Sequence, residues 1–187
     1  MALHVASRRR ARATVEKEHP GAEIIDVTSR ADEPWVRFSP FYPHGGIPVP
    51  LSPGRVAQSV EGVWQALKVF AAHDVDPAKL EITNMRGLKR TVRAYGPVKG
   101  HRAGLDGTEL LPYEQARREI YLPTYRWVLE HRVRDLVEVL REREHDVVLL
   151  DYTTNGDVGD TSRPLSHAAL LRDHVGRGSR EAPEVWP

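Results

Sequence analysis

Residues 59–70 read Ser59-Val60-Glu61-Gly62-Val63-Trp64-Gln65-Ala66-Leu67-Lys68-Val69-Phe70. The apolar residues recur at the spacing of one buried helix face, which predicts a helix over 59–72. Ser59 is suited to cap this helix, so Glu61 lies in the first turn, where the helix dipole favours an ionised carboxylate. Either Glu61 only stabilises the dipole on a solvated face, or it borders a cavity together with Gln65 and Lys68.

The rest of the chain has the pattern of a single α+β domain that is mostly helical, with a few short strands. We expect strands at 22–27 and 147–150, an extended piece at 36–42, and a long core helix over 124–144. Clusters of Pro and Gly predict a loop at 43–54 and a flexible connection at 96–107. We place the domain at 21–176, between a basic N-terminal arm at 1–20 and a C-terminal tail at 177–187.

Composition excludes several classes of protein. The chain has 187 residues, 40% of them hydrophobic, which suits one domain with a substantial core. It has no cysteine, no long apolar run and no apolar signal segment, so we expect a cytoplasmic protein without disulfides or membrane spans. The nine histidines show no metal-ligand spacing, and we expect neither a metal nor a cofactor. No obligate protein partner is evident.

The net charge of +1 hides an interval from Met85 to Leu105 that contains no acidic residue. Its cations could follow the phosphates of a nucleic acid, hold the diphosphate of a free nucleotide, or lie on an ordinary solvated helix face. The run Arg8-Arg9-Arg10 in the arm adds a second basic segment, which favours a nucleic acid, DNA rather than RNA. The predicted nucleic-acid-binding residues are Arg86, Lys89, Arg90, Arg93, Lys99 and Arg102.

Two further carboxylates follow the predicted strand at 147–150. Asp151 lies at the strand end and Asp157 in the turn after it, a common place for catalytic groups. We therefore predict that both are catalytic, that Asn155 binds substrate, and that one of the two carboxylates, Asp157 in preference to Asp151, lies near Glu61. Alternatively, Asn155 or Asp157 bonds its own backbone in an Asx turn.

The segment Phe38-Ser39-Pro40-Phe41-Tyr42-Pro43, followed by Ser-Val-Glu-x-x-Trp-Gln-Ala-Leu-Lys-x-Phe, resembles the opening of the NADAR family of N-glycosidases. The sequence differs from that family's pattern at Pro40, usually Asn, and at Gly62, usually His. Looser similarity continues through residues 147–159 and 164–172. The resemblance implies a NADAR-like fold, an N-glycosidase activity, and a catalytic role for Glu61.

Cleavage of an N-glycosidic bond develops positive charge on the sugar carbon, so an enzyme needs an anion there and a surface that holds the base. Glu61 supplies the anion. Phe41 and Tyr42 are candidates to stack on the base; Trp64 is another, although its place on the apolar stripe also suits a core residue. Gln65 and Lys68 complete the predicted substrate-binding set, where Lys68 could pair with Glu61, bind a phosphate, or be solvated.

Three functions remain open. The first is removal of a nucleobase, in particular a modified one, from nucleic acid, as a DNA glycosylase in antiviral defence against phages would do. The second is hydrolysis of a small nucleotide or ADP-ribose conjugate. The third is a nucleotide-binding module without catalytic activity. Release of a free base separates the first two functions from the third.

Overall fold

A computed structural model describes residues 1–178 and confirms the α+β fold class. The chain divides into two compact units: unit 1 contains Met1–Ser39 and the chain from Leu129, and unit 2 contains Pro40–Val128. The helices are α1 (Arg12–Glu18), α2 (Val60–Leu67), α3 (Val92–Tyr95), α4 (Tyr113–Ala116), α5 (Leu122–His131), α6 (Arg134–Arg141) and α7 (His167–Arg177). The strands are β1 (Leu3–Ser7), β2 (Glu23–Asp26), β3 (Ile47–Pro48), β4 (Val56–Ala57), β5 (Lys68–Phe70), β6 (Val98–Arg102), β7 (Leu110–Leu111) and β8 (Val147–Asp151).

Unit 1 is organised around a parallel sheet with the strand order β1-β8-β2. The central strand β8 is apolar on both faces, as expected for a parallel strand covered on each side. On one face, Val15 of α1 packs with Ala6 and Val148. Asp151 points to the opposite face, where its carboxylate accepts a hydrogen bond from the Ser166 hydroxyl at the start of α7 (2.8 Å).

Unit 2 contains α2 and two small antiparallel sheets. One pairs β3 with β4, and the other has the order β5-β6-β7. Every residue of α2 is buried, and Val63, Ala66 and Leu67 belong to the main apolar cluster of the unit. In the three-stranded sheet Lys68 is opposite His101, which in turn is opposite Leu111, so the three side chains share one face.

The strands predicted at 22–27 and 147–150 and the helix capped by Ser59 are confirmed. The predicted helix 59–72 ends at Leu67, and Lys68–Phe70 forms β5 instead. The predicted extended piece at 36–42 begins as a 3-10 turn (Trp35–Phe38), and the connection at 96–107 contains β6. The predicted helix 124–144 is two helices, because the chain turns at Arg132 and Val133 between α5 and α6.

The N-terminal segment that we predicted as an arm is part of unit 1, since Leu3–Ser7 pairs along the whole of β8. Of the predicted tail, Arg177 ends α7, while residues 179–187 lie outside the described residues. Within residues 1–178, none of the helices has the length and apolar character that a membrane crossing requires.

Candidate active site

Two backbone N–H groups at the N-terminus of α2 donate hydrogen bonds that hold this end of the helix. The Ser59 hydroxyl accepts a hydrogen bond from the Gly62 N–H (3.0 Å), as expected of an N-cap. The Glu61 N–H donates to the Pro40 carbonyl (2.8 Å). Because residue 40 acts through its carbonyl, this contact does not need the Asn that the NADAR pattern has there.

Gly62 is required by a close approach of two backbone segments. A Cβ at this position would lie 2.8 Å from the Lys79 carbonyl oxygen, within the 3-10 turn Pro77–Glu81. The carbonyl is backbone and cannot move aside as a flexible side chain would. A histidine, the usual NADAR residue, therefore does not fit here.

Glu61 is buried, with 8% of its surface exposed, so it does not lie on a solvated helix face. The Gln65 side-chain Nε2–H donates to the Glu61 carboxylate (2.8 Å). The side-chain oxygen of the same residue, Gln65 Oε1, accepts from the Arg90 backbone N–H (2.9 Å). The Arg90 N–H thereby fixes which end of the Gln65 amide faces Glu61. Gln65 therefore positions the Glu61 carboxylate and is itself held by Arg90; both residues are buried.

Burial and neighbouring charges act in opposite directions on the ionisable groups of this cluster. Burial raises the pKa of Glu61, against the opposing effects of the Gln65 hydrogen bond and of the charges on Lys68 and Lys89. Burial also lowers the pKa of Lys68, although Glu61 acts in the opposite direction. A carboxyl group with a raised pKa beside an amine with a lowered pKa is typical of sites that transfer protons near neutral pH.

His101 is a buried residue that the sequence analysis missed. Its ring lies 3.8 Å from the Trp64 ring (between centroids), and neither ring nitrogen has a hydrogen-bond partner within residues 1–178. Burial, together with the Lys68 charge, lowers its pKa to about 3, so the imidazole is neutral. Only the pairing of β5 with β6 brings His101 next to Lys68, and no local sequence pattern indicates that pairing.

The aromatic candidates differ in their surroundings. Trp64 is 9% exposed and packs against the rings of His101, Tyr113 and Tyr121, which supports its interpretation as a core residue. Phe41 is half-buried, and the Lys89 ammonium lies 5.3 Å from its ring centre. Since Lys89 also acts electrostatically on Glu61, Phe41 and Lys89 belong to the surroundings of the carboxylate. Tyr42 packs against the His44 ring.

Two of the six predicted nucleic-acid-binding residues are held by partners within unit 2. Arg90 is buried, and its guanidinium donates to the backbone carbonyls of Gln65, Lys68 and Asp74. It therefore binds the carbonyls at the C-terminal end of α2 and is not available to bind a phosphate. Arg102 forms an ion pair with Asp74 (2.9 Å). The remaining four are exposed: Arg86, Lys89, Arg93 and Lys99.

Asp151 is buried in unit 1 and is paired with His167. Its carboxylate lies 3.0 Å from His167 Nδ1, and His167 Nε2 lies 2.8 Å from the Val27 carbonyl oxygen. Both ring nitrogens therefore face acceptors, a geometry that requires the protonated imidazolium. The Asp151 oxygens also accept from the Ser166 hydroxyl and the Tyr152 N–H, so these contacts support a structural role, while the catalytic role stays a prediction.

Asn155 and Asp157 make local turn contacts in unit 1. Asn155 Oδ1 accepts from the Asp157 N–H (3.0 Å), and Asp157 Oδ1 accepts from the Gly159 N–H (2.8 Å). These are the Asx-turn bonds that the sequence analysis gives as the alternative to a catalytic role. A place for Asp157 near Glu61 stays a prediction.

Within residues 1–178, no cluster of His, Asp and Glu side chains is arranged to hold a metal ion. The fold and the cluster of Glu61, Gln65 and Lys68 define an α+β protein with a buried carboxylate beside an amine. The chain belongs to the family of unknown function DUF6939, whose model matches residues 7–171. No curated protein matches its sequence.

Proposed function

We propose that this protein hydrolyses the N-glycosidic bond of a nucleotide, with Glu61 as the acid–base group. One observation carries this proposal: Glu61 is a buried carboxylate with a raised pKa, oriented by Gln65 and bordered by Lys68 and Lys89. The resemblance of residues 38–70 to N-glycosidases points to the same residue. Neither a solvated helix face nor a simple dipole contact accounts for the burial.

In the proposed reaction, water adds to the sugar carbon as the bond from that carbon to the base nitrogen breaks. Ionised Glu61 stabilises the developing positive charge and accepts a proton from the attacking water. The electron pair of the broken bond stays with the base, and the proton that Glu61 took from water passes to that base, so the products are the free base and the sugar and Glu61 is ionised again. The cations Lys68 and Lys89 favour the ionised form of Glu61 between turnovers.

A small nucleotide fits the surroundings of Glu61 better than our first expectation of a nucleic acid. Arg90 and Arg102, two of the six predicted phosphate contacts, are committed to partners within unit 2. Hydrolysis of nucleic acid is the second candidate function, and the exposed side chains of Arg86, Lys89, Arg93 and Lys99 are the observation that favours it.

The test is release of free base, detected by mass spectrometry after incubation with nucleotides and, separately, with modified and unmodified oligonucleotides. We expect Glu61→Gln to lower the single-turnover rate by a factor of about a hundred to ten thousand, because the change removes the charge but keeps the shape. Glu109→Gln, at an exposed position in the same unit, is the matched control and should retain the parent rate.

Activity of Glu61→Gln within threefold of the parent would exclude Glu61 from the mechanism. Absence of base release by the parent protein from every substrate would leave the binding module as the function. Cleavage of oligonucleotides alone, with an affinity that falls steeply as salt increases, would favour the nucleic acid over the small nucleotide.

A further inference from the structure

In the sheet of unit 1, the chain leaves the carboxyl ends of two adjacent parallel strands, β1 and β8, toward opposite faces. After β1 the chain enters α1, whose Val15 packs on the face that carries Ala6 and Val148. After β8 the chain reaches α7 on the opposite face, where Asp151 contacts Ser166. Connections that leave neighbouring parallel strands toward opposite faces open a crevice outside the strand ends, and ligands bind in such crevices in open α/β sheets.

Arg8, Arg9 and Tyr152 directly follow these two strand ends. The Arg8 N–H donates to the Asp151 carbonyl (2.8 Å), which holds the two chain segments side by side. The guanidinium carbons of Arg8 and Arg9 lie 5.8 and 5.9 Å from the centre of the Tyr152 ring. Tyr152 is 38% exposed, so its ring is accessible to solvent.

Arg9 differs from the other arginines of this segment. Arg8 is paired with Asp26 (2.6 Å), Arg10 with Glu18, and Arg12 with Glu16. Arg9 is exposed and forms no ion pair within residues 1–178. The basic run of the N-terminal segment thus leaves one guanidinium without an acidic partner, beside an exposed aromatic ring.

We propose that Arg9 and Tyr152 form a second binding site, which takes a phosphorylated nucleotide. A phenol ring offers a stacking surface for a planar base, and a guanidinium binds phosphate oxygens in a bidentate geometry. The ligand is a free nucleotide or a nucleotide within a single-stranded nucleic acid, since both present a base beside a phosphate. The site shares no residue with the Glu61 cluster and does not depend on catalysis.

The experiment is a calorimetric titration of the full chain with AMP, adenosine, pyrophosphate and a single-stranded oligo-dA. We expect AMP to bind more tightly than adenosine. Tyr152→Ala should lower the affinity for AMP by about tenfold or more, with little effect on the affinity for pyrophosphate. Arg9→Ala should lower the affinity for both. Arg12→Ala removes a nearby exposed arginine that already has a partner, so this matched control should bind like the parent. If oligo-dA binds more tightly than AMP, and if both variants lose this binding, the ligand is a nucleotide within a single-stranded nucleic acid rather than a free nucleotide.

Thermal melts show whether each variant folds. If Tyr152→Ala does not fold, the chemical shifts of the Arg9 Nε–H and of the Tyr152 ring in the parent protein provide the same test, because AMP must move both. The proposal is overturned if the parent binds neither AMP nor oligo-dA at millimolar concentration, or if both variants bind AMP like the parent. It is also overturned if only Glu61→Gln affects AMP affinity. Base release does not enter this measurement, so its absence would count against the proposed function alone.

Discussion

Each unit buries a carboxylate beside a basic group, and the two pairs have opposite electrostatics. In unit 1 burial disfavours both charges, but the attraction between Asp151 and His167, together with the other hydrogen bonds that each accepts or donates, outweighs it, so the pKa of Asp151 is lowered and that of His167 is raised. In unit 2 burial dominates, so the pKa of Glu61 is raised and that of Lys68 is lowered. Burial alone therefore does not mark a functional group; we base the proposed role of Glu61 on the direction of the pKa shifts, which in unit 2 is toward the neutral forms.

The unit 1 pair should give the largest effect on stability. Asp151→Asn leaves a buried imidazolium without its counter-charge, and we expect a loss of about 3–5 kcal/mol in the free energy of unfolding. Urea denaturation measures this loss. Asp157→Asn, at an exposed turn position nearby in sequence, is the control and should cost about 1 kcal/mol or less. A comparably small loss for Asp151→Asn would mean that the pair is not a structural element.

Lys68 should control the charge of Glu61 in unit 2. Lys68→Met removes a positive charge that lowers the pKa of Glu61, so that pKa rises further and the acid limb of kcat/KM moves to higher pH. We expect kcat/KM at neutral pH to fall on the order of tenfold. Lys17→Met, at an exposed position of α1, is the control because it removes a lysine outside both proposed sites. A pH profile of Lys68→Met that coincides with that of the parent would contradict this coupling.

The pH dependence of stability tests the charge state of the unit 1 pair. The raised pKa of His167 means that its contribution is complete below pH 6.5 and is lost as pH rises through the folded-state pKa. The lowered pKa of Asp151 means that its contribution is complete above pH 3.8 and is lost as pH falls through the folded-state pKa. The pair therefore stabilises most between these limits.

We expect the Tm of the parent to decline from pH 6.5 to 9 relative to that of His167→Gln, which lacks the titrating group. Each unit of pKa difference between the folded and unfolded states is worth about 1.4 kcal/mol. Parallel Tm curves for the two proteins over this range would show that folding does not raise the pKa of His167.

The smallest effect concerns His101. His101→Phe removes two buried ring nitrogens that have no hydrogen-bond partner among the described residues but keeps a ring against Trp64, so we expect a gain of about 1 kcal/mol in the free energy of unfolding. His73→Phe changes an exposed histidine of the same unit and should be nearly neutral. A loss of stability in His101→Phe would indicate that the imidazole is hydrogen-bonded in solution.

The sequence predicts those parts of the molecule that local patterns determine. The cap at Ser59 and the apolar strand β8 each follow from a few neighbouring residues, and both are confirmed. The end of α2 at Leu67 could not be predicted, because the apolar pattern continues while Arg90, distant in sequence, binds the carbonyls of Gln65 and Lys68. The break between α5 and α6 falls at Val133, a buried residue whose place on the apolar stripe also suits a continuous helix.

In the candidate site too, the sequence predicts contacts between neighbouring residues but not contacts between distant segments. Glu61 and Gln65 could be paired from their spacing on one helix, and the structure joins them by a hydrogen bond. The places of His101 and Lys89 depend on contacts between distant segments, which no local pattern reveals. The burial of Arg90 likewise could not be inferred from a basic run that is otherwise exposed.

The position of β8 has a consequence for synthesis on the ribosome. β1 and β2 emerge early, but they pair with β8 and not with each other, so neither has its partner until Val147–Asp151 has left the exit tunnel. At typical elongation rates, this wait is on the order of ten seconds. Unit 2 is continuous in sequence and has all its strands before then. We therefore expect unit 2 to fold first. Until β8 emerges, β1 and β2 remain unpaired and accessible to chaperones.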